Sequence, residues 1–317
     1  MSNIILTTEC PRKCKYCFAK DNQEDHMQFD MENFKKVVDW LLADDYLITR
    51  TGLLGGEPTT HSQFIEFLDY LLSKRLSTVV FTNGMVEDDA FYQKVIETAQ
   101  RNEVKHVQDL VFCVNINEEK YRGSKEKRLQ HRFLSNLGRV STISFNIFEP
   151  DFNPYFLIDT IKEYKLFHSI RLGLAAPLGN RNDYLDPDFY RPVAEKLIEF
   201  GKEAYKANIT IGFDCGFTRC MFYEEELKEL NESKNWKLSF DCGPTIDIYP
   251  NLEVSSCYPL SKVLRTKMKD WERYADLYEH WIKETINLHP IYNRCLSCDH
   301  YSKMKCSGGC RAHRANG

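Results

Sequence analysis

Three cysteines near the start of the chain constrain what it can fold into more than any other feature. Cys10, Cys14 and Cys17 follow an apolar run, and their CxxxCxxC spacing places three thiols on one short loop. A cubane iron–sulfur cluster normally takes four thiolates, so three would leave one iron open to an exogenous ligand. A zinc site or a redox pair that borrows another cysteine is the alternative. The loop therefore predicts a metal site directly after the first strand.

Up to about residue 213, apolar β-rich runs alternate with amphipathic segments, which is the pattern of βα units around a parallel sheet. Thr60 with Gln63 predicts a capping box for one helix. Asp186 and Pro187 predict the N-cap and first turn of another helix, which runs to residue 200. A buried helical stripe is predicted at Phe34, Val37, Val38, Leu41 and Leu42. Seven strands are predicted. The first covers residues 4–8, the second ends at residues 53–54, and the others cover residues 79–82, 110–114, 143–148, 170–174 and 209–213.

Composition limits the cellular compartment and the classes of binding partner that we expect for this chain. A formal net charge of −4 over 317 residues gives no basic excess, which argues against nucleic acid or an anionic membrane as the main partner. There is no apolar run long enough to span a membrane and no signal segment before the first predicted strand, so we expect a cytoplasmic protein. Twelve cysteines in such a chain favour reduced thiolates that bind metal over disulfides.

The N-terminal segment resembles the signature of the radical S-adenosylmethionine (SAM) superfamily, which is CxxxCxxC with an aromatic residue, here Tyr16, before the third cysteine. Gly55-Gly56-Glu57-Pro58, at the end of the second predicted strand, resembles the family's GGEP motif. Glycines let a backbone approach a ligand, and a carboxylate can accept hydrogen bonds from an ammonium group. The resemblance implies that this motif holds the amino group of SAM. An ordinary strand-to-loop turn is the alternative for the motif alone.

Polar residues also end the later predicted strands, on the rim where α/β folds place ligands. Thr82-Asn83-Gly84 resembles the family's TNG segment, which makes Asn83 a candidate cofactor contact. Asn115 and Asn146 are further candidates for contact with SAM. For these two residues, as for Ser144 and Arg171, a structural role is equally compatible with the sequence.

The C-terminal cysteines resemble the SPASM extension of many radical SAM enzymes, which carries auxiliary iron–sulfur clusters. Structural zinc would suit the spacing equally well. Leu252 stands where the family usually has glycine, and the set is one ligand short of the family's. Cys215 and Cys220 would bring the total to eight thiolates, enough for two four-cysteine clusters. The candidate ligands of the resembling set are Cys242, Cys257, Cys295, Cys298, Cys306 and Cys310.

Other ligand sets remain open at this point. A single auxiliary cluster, an open iron, or a non-cysteine ligand such as Asp299, His300 or His313 is compatible with the spacing. Cys113 lies in an apolar run and is expected to be a core residue; Cys215, at a strand end, is open to the same interpretation.

The resemblance implies a partial (β/α)6 TIM-like barrel over residues 1–213 and a small SPASM/twitch-like domain over residues 214–317. It also implies a [4Fe–4S] cluster with SAM at its open iron, one or two auxiliary [4Fe–4S] clusters, and a 5′-deoxyadenosyl radical that abstracts hydrogen from a substrate. Low-potential electrons would come from a flavodoxin- or ferredoxin-like donor. No residue identifies the catalytic acid or base.

Enzymes of this combined type mostly modify ribosomally made peptides or proteins, by crosslinking or by side-chain oxidation. Because the first predicted strand starts near residue 3, we expect either that leader recognition needs a separate protein or that the substrate is not a leader peptide. A small-molecule substrate and activation of a glycyl-radical enzyme are the enzymatic alternatives. An iron–sulfur or zinc protein in electron transfer or sensing is the non-enzymatic one, although an electron carrier has no need of a SAM-binding motif.

Overall fold

The computed structural model describes residues 2–20, 26–43, 48–106, 108–177 and 184–315. Six β/α units come first, followed by shorter elements. No described helix is both long and apolar enough to cross a membrane. The elements are β1 (Ser2–Ile5), α1 (Met31–Leu42), β2 (Arg50–Leu54), α2 (Phe64–Ser73), β3 (Ser77–Thr82), α3 (Ala90–Arg101), β4 (Leu110–Asn115), α4 (Ser124–Leu137), β5 (Ser141–Ile147), α5 (Phe156–Tyr164), β6 (Ser169–Leu174), α6 (Tyr190–Lys206), β7 (Thr210–Phe213), α7 (Glu224–Glu232), β8 (Trp236–Lys237), β9 (Asp247–Ile248), β10 (Glu253–Ser255), β11 (Arg265–Lys267), α8 (Tyr274–Asn287), α9 (Asp299–Ser302) and α10 (Ala312–Ala315).

These strands form one open sheet in the order β11-β10-β9-β1-β2-β3-β4-β5-β6-β7-β8. Every pairing from β9 through β1 to β8 is parallel, whereas β10 runs antiparallel to β9 and β11. Parallel strands place their carboxyl ends on one edge, so the segments after β1 to β6 share a rim. The predicted α/β class, with six β/α units, is confirmed.

The helices bury the stripes that their periodicity predicts, with one exception. In α1 the side chains of Phe34, Val37, Val38 and Leu41 are buried, but Leu42 is 39% exposed because it lies in the last turn at the edge of the stripe. Cys113 is 3% exposed and packs with Val79 and Val111 on the inner face of the sheet, so its prediction as a core residue is confirmed.

One predicted helix start is wrong, and at the other the predicted cap and proline open a 3₁₀ turn that leads directly into the helix. Thr60 does not cap α2: it ends a 3₁₀ turn, and its hydroxyl donates to the Glu57 carbonyl at 2.7 Å. Gln63 is the N-cap residue but makes no side-chain cap bond. Asp186 caps the 3₁₀ turn Pro187–Phe189, and α6 begins only afterwards and continues to Lys206, beyond the predicted end. In each case the side-chain group that was predicted to cap the α-helix forms its hydrogen bond within the preceding 3₁₀ turn instead.

The first strand ends earlier than predicted, at Ile5. The segment after it leaves the sheet because its backbone pairs with a different partner. Thr7 forms an isolated antiparallel bridge with Gln28, and the Thr8 amide donates to the Met27 carbonyl at 3.0 Å. This turn away from β2 releases the chain into the cysteine loop above the rim.

A buried carboxyl joins β1 to the C-terminal strands. Asp247 in β9 is 1% exposed and accepts hydrogen bonds from Asn3 Nδ2 at 2.7 Å and Thr245 Oγ1 at 3.3 Å. Burial raises the pKa of Asp247 to about 6, and the bonds from Asn3 and Thr245 only partly oppose this effect. The folded protein therefore holds this proton more tightly than the unfolded chain does.

We expect the free energy of unfolding to fall as the pH rises from about 4 to about 6, and Asp247→Asn to remove that part of the dependence. The native pKa is raised, so stability is lost as the pH passes from the unfolded to the folded value, by about 3 kcal/mol in all. Urea unfolding of the thiol-reduced, metal-free protein at pH 4 and pH 7.5 measures it. Parallel pH profiles for the variant and the wild type would contradict this prediction.

Candidate functional site

The three N-terminal cysteines meet at one cavity. Cys10, Cys14 and Cys17 all line a cavity of about 890 Å³ at the rim, and the Cys17 amide donates to the Cys14 carbonyl at 3.3 Å, which closes the loop. Burial raises the pKa of Cys10 to about 12, and the charges of Glu57, Cys14 and Cys17 add to that rise. The sulfurs are thus close enough to repel one another as thiolates, which is the condition that a bound cationic cluster relieves.

The donor set fits a [4Fe–4S] cluster in its chemistry, since soft thiolates select iron–sulfur centres and zinc. Asn83 Nδ2 donates to the Cys10 sulfur at 3.7 Å, as groups around cluster sulfurs do. Among the residues that the structure describes, no three His, Cys, Asp or Glu side chains are placed to hold a single metal ion. A cubane presents a separate iron to each thiolate, so its ligands need not converge on one point.

The two glycines of the Gly55–Pro58 segment are needed for packing against the cysteine loop. The Gly56 amide donates to the Thr7 carbonyl at 2.7 Å, and the Glu57 amide donates to the Glu9 carbonyl at 2.8 Å. A Cβ atom on Gly56 would lie 2.1 Å from the Glu9 oxygen, and one on Gly55 would lie 2.3 Å from the Thr7 oxygen. The backbone that approaches these glycines is therefore the chain's own, just before Cys10.

We expect Gly56→Ala to displace the cysteine loop. The new methyl group would overlap the Glu9 carbonyl, a backbone atom that cannot move without carrying Cys10 with it. The cost should be about 1–3 kcal/mol of stability, with reduced iron content after anaerobic reconstitution. Urea unfolding and iron analysis measure the two effects. Gly123→Ala is a matched control, because nothing lies within 4 Å of a Cβ there; equal iron content in both variants would contradict the prediction.

Glu57 points inward, and its carboxylate is bound by the protein itself. It is 1% exposed. Oε1 accepts from the Thr59 amide at 3.2 Å, the Thr59 hydroxyl at 2.6 Å and the Thr82 hydroxyl at 2.7 Å, and Oε2 accepts from the Asn83 amide at 2.6 Å. Burial raises the pKa of Glu57, and these bonds oppose the rise. In this structure, then, the carboxylate joins the ends of β2 and β3. Pro58 is buried and opens the 3₁₀ turn after it.

Tyr16 and Asn115 belong to a buried polar network under the cysteine loop. The Tyr16 hydroxyl lies 2.9 Å from Asn115 Oδ1 and 2.6 Å from Asn117 Oδ1, and its ring stacks on Phe148 with centroids 5.0 Å apart. Arg12 Nη1 donates to both Asn115 oxygens, each at 3.0 Å. These contacts tie the loop to the end of β4.

The sequence did not single out Arg12 or Glu126, which form a buried ion pair at 2.9 Å. Arg12 is 6% exposed although it lies between Cys10 and Cys14 in the loop, and Glu126 lies in the first turn of α4. The arginine inside the cysteine loop was a signal in the sequence, because a buried arginine needs an acidic partner. Nothing in the local sequence pointed to Glu126, because its helix is otherwise rich in charges.

The remaining strand-end candidates line an inner cavity of about 140 Å³ together with the three N-terminal cysteines. Asn146 lies there beside Gly173, where a Cβ would be 2.8 Å from its Oδ1. Arg171 Nη1 donates to Ser144 Oγ at 3.4 Å, and its Nη2 pairs with Asp214 at 2.5 Å. The structure thus brings the residues predicted from four different strands to one wall.

The C-terminal cysteines fall into two groups, which we call the inner and outer groups. In the inner group, the charge of Asp214 and burial raise the pKa of Cys215 most, and the charges of Cys310 and Cys242 add to that rise. Burial raises the pKa of Cys257 most, and the same two cysteine charges add to that rise as well. In the outer group, burial and the charges of the other three raise the pKa of Cys295. The inner group is Cys215, Cys242, Cys257 and Cys310; the outer group is Cys220, Cys295, Cys298 and Cys306.

Cys215 is exposed, so it is not a packed core residue. The alternative ligands have other partners. His300 Nε2 lies 2.9 Å from Glu224 Oε1, and Asp299 pairs with Lys303 at 2.9 Å. His313 packs edge-on against Tyr184, and burial lowers its pKa to about 4.

Comparison with known proteins agrees with this geometry. Residues 4–108 match the model of the Radical SAM superfamily. Antilisterial bacteriocin subtilosin biosynthesis protein AlbA of Bacillus subtilis (strain 168) is 34% identical over 79 residues, which are 25% of this chain and 17% of AlbA. An S-adenosylmethionine-dependent nucleotide dehydratase of Selenomonas ruminantium is 29% identical over 82 residues, or 26% of this chain and 29% of that protein. The chain thus matches less than a third of the length of these relatives.

The fold as a whole is similar to that of a solved structure. The crystal structure of Streptococcus suis SuiB bound to S-adenosylmethionine superposes with a TM-score of 0.69 at 16% identity, covering 98% of this chain and 72% of SuiB. SuiB bound to precursor peptide SuiA gives a TM-score of 0.66. This likeness confirms the predicted TIM-like α/β fold.

Proposed function

We propose that this chain, which belongs to the radical SAM superfamily, cleaves S-adenosylmethionine reductively and modifies a ribosomally made peptide or protein by crosslinking or side-chain oxidation. The observation that carries the proposal is the meeting of Cys10, Cys14 and Cys17 with the Gly55–Pro58 segment at one cavity. Neither feature alone would require SAM. Together they join a metal site that has a free position to a loop whose backbone lines the same space.

Each part of the site has a role in this proposal. Cys10, Cys14 and Cys17 hold the cluster, and Asn83 donates to the Cys10 sulfur. Gly55 and Gly56 present backbone atoms to the methionyl part of SAM, while Glu57 holds the loop in place from below. When bound, the cluster and SAM supply a 5′-deoxyadenosyl radical. The surrounding side chains keep water away from it.

The far wall of the cavity offers polar groups to SAM or to the substrate. Asn146, Ser144 and Arg171 face it from β5 and β6. Arg171 is held by Asp214 and lies over the Phe81 ring at 5.0 Å, so its guanidinium is oriented before a ligand arrives. Asn115 is already bound by Arg12 and Tyr16, which favours a supporting role for it.

Residues 214–317 form the auxiliary unit in this proposal, with one or two [4Fe–4S] clusters on the C-terminal cysteines. Their thiols lie in groups and are buried or half-buried, apart from Cys215 and Cys220. Protein thiolates keep such clusters at low potential. The unit would accept the electron left on the substrate after hydrogen abstraction.

A peptide substrate is supported by two of the similar proteins. SuiB has been solved with a precursor peptide, and AlbA is named for bacteriocin biosynthesis. We further propose a separate leader-binding protein, an external low-potential donor of the flavodoxin or ferredoxin type, and action in the cytoplasm, where the twelve free cysteines would stay reduced.

A small-molecule substrate is the second candidate, because a nucleotide dehydratase matches a segment of similar length. The cavity mouth carries Lys13 and Lys20, which would suit an anionic ligand as well as an acidic peptide.

The test is anaerobic reconstitution with iron and sulfide, followed by SAM and dithionite. We expect 5′-deoxyadenosine to form, and its yield to rise when the correct substrate is added. Co-expression with any short peptide encoded beside the gene should give a peptide that has lost hydrogen by mass spectrometry. Turnover with nucleoside triphosphates instead would favour the second candidate. No 5′-deoxyadenosine from fully loaded protein would refute radical SAM activity.

A further inference from the structure

The outer group of cysteines is assembled from two distant parts of the chain. Cys220 lies in a 3₁₀ turn shortly after β7, whereas Cys295, Cys298 and Cys306 lie beyond α8. Arg294 bridges the gap, because its Nη2 donates to the Cys220 sulfur at 3.7 Å. The residue next to Cys295 thus touches the Cys220 thiol directly.

A second line of contacts joins the same thiols through two glycines. The Thr218 hydroxyl lies 3.4 Å from the Cys220 sulfur, and a Cβ on Gly309 would lie 3.1 Å from the Thr218 methyl group. The neighbouring Gly308 amide donates to the Cys306 sulfur at 3.4 Å, and a Cβ on Gly308 would lie 3.4 Å from the Cys295 sulfur. The sulfurs of Cys220, Cys306 and Cys295 are therefore joined by one short series of contacts through Thr218 and the two glycines.

Cys298 completes the set, since its amide donates to the Cys295 carbonyl at 3.1 Å within one turn. Electrostatics gives the same membership: the thiolate charges that act on Cys295 are those of Cys220, Cys306 and Cys298. The charges that act on Cys257 come from Cys310 and Cys242, in the inner group.

The donors around these sulfurs also suit cluster ligands. In the outer group, the Gly308 amide donates to the Cys306 sulfur and the Arg294 guanidinium donates to the Cys220 sulfur. Hydrogen bonds to sulfur are among the means by which proteins set cluster potentials. If Cys220 were an exposed thiol with no ligand role, its sulfur would need neither the arginine nor the threonine that contacts it.

We propose that Cys220 is the fourth ligand of an outer [4Fe–4S] cluster held with Cys295, Cys298 and Cys306. The inference rests on the proposed function only in taking these cysteines as iron–sulfur ligands. Its consequence is that this auxiliary cluster is closed by four thiolates. It then has no open iron for the substrate and carries electrons instead.

The first test uses the full chain, reconstituted anaerobically, with three alanine variants. Wild-type protein should hold at least about eight irons, four in the N-terminal cluster and four in the outer cluster. Cys220→Ala and Cys298→Ala should each lower that by about one to four irons, and both should change the same component of the reduced EPR spectrum. Cys113→Ala, which removes a buried cysteine outside both groups, should keep the wild-type iron content and spectrum. A Cys220→Ala protein indistinguishable from Cys113→Ala would overturn the proposal.

A second measurement needs no variant. Alkylation of the native holoprotein with iodoacetamide, followed by peptide mapping, should spare Cys220 together with Cys298, and chelation of the iron should make both reactive. Alkylation of Cys220 while Cys298 stays protected would overturn the assignment.

The outcomes separate this inference from the function it rests on. Formation of 5′-deoxyadenosine depends on the N-terminal cluster and is measured independently. Zinc found in place of C-terminal iron would overturn the assignment of Cys220 to an iron–sulfur cluster and leave SAM cleavage standing.

Discussion

Replacing Cys14 with alanine is expected to reduce formation of 5′-deoxyadenosine to the level of a blank without enzyme. Cys14 is the central member of the CxxxCxxC loop and shares one cavity with Cys10 and Cys17. Two thiolates cannot hold a cubane that already leaves one iron to SAM. The measurement is anaerobic turnover with SAM and dithionite, with 5′-deoxyadenosine quantified by chromatography.

The iron content of the Cys14→Ala protein provides the control for this prediction. We expect a loss of about four irons per chain and disappearance of the EPR component that responds to SAM, while the signals of the proposed C-terminal clusters persist. Cys298→Ala is the matched comparison, because it removes a candidate ligand thiol at the other end of the chain. SAM cleavage that survives in Cys14→Ala would refute the assignment of the N-terminal loop.

Replacing Glu126 with glutamine is expected to destabilise the protein by about 3–5 kcal/mol, because it leaves a buried charge without its counter-ion. Arg12 and Glu126 are 6% and 10% exposed at their side chains and lie 2.9 Å apart. Arginine stays protonated, so the charge on Arg12 cannot be relieved by titration. Its remaining bonds to Asn115 are hydrogen bonds without a formal negative charge.

The same variant should lose cluster affinity, since Arg12 positions the loop that carries Cys10 and Cys14. Groups that orient metal ligands typically account for about 10- to 100-fold in metal affinity. Iron retention during dialysis against a chelator measures this effect, and urea unfolding measures the first. Glu126→Asp should restore part of both.

Glu119→Gln is the control for the ion pair. Glu119 also pairs with a basic residue, Lys127, but it is 78% exposed, so its loss should change stability by less than about 1 kcal/mol. Equal stability losses in Glu119→Gln and Glu126→Gln would show that the buried pair has no special role.

Local information in the sequence was enough for the β/α order of the barrel. Strands and helices alternate with different apolar periods, and each of the seven predicted strands corresponds to one of β1 to β7. The errors came where a short turn competes with a helix start, as at Thr60 and Asp186. Both residues carry capping groups, and the sequence does not say whether a 3₁₀ turn or an α-helix uses them first.

The candidate site was predictable in its chemistry but not in its contacts. Glu57 illustrates the difference: its position after β2 was clear, but its partners within the protein were not. In the structure its carboxylate binds Thr59, Thr82 and Asn83, and two of these partners come from the neighbouring strand end. Which strand lies beside β2 is decided by sheet pairing over long range.

The three N-terminal cysteines, Cys10, Cys14 and Cys17, show what the sequence determined and what only the tertiary structure decided. Their spacing by itself determined that three thiols lie on one loop after the first strand, because a loop of that length keeps them together in any fold. Only the tertiary structure decided what supports the loop, namely Glu126 beneath Arg12 and the backbone of Gly55 and Gly56 against it. It also decided that Cys220 lies with Cys295 and Cys306. Such contacts join residues far apart in the chain, and they exist only once parallel strands and their loops are packed side by side.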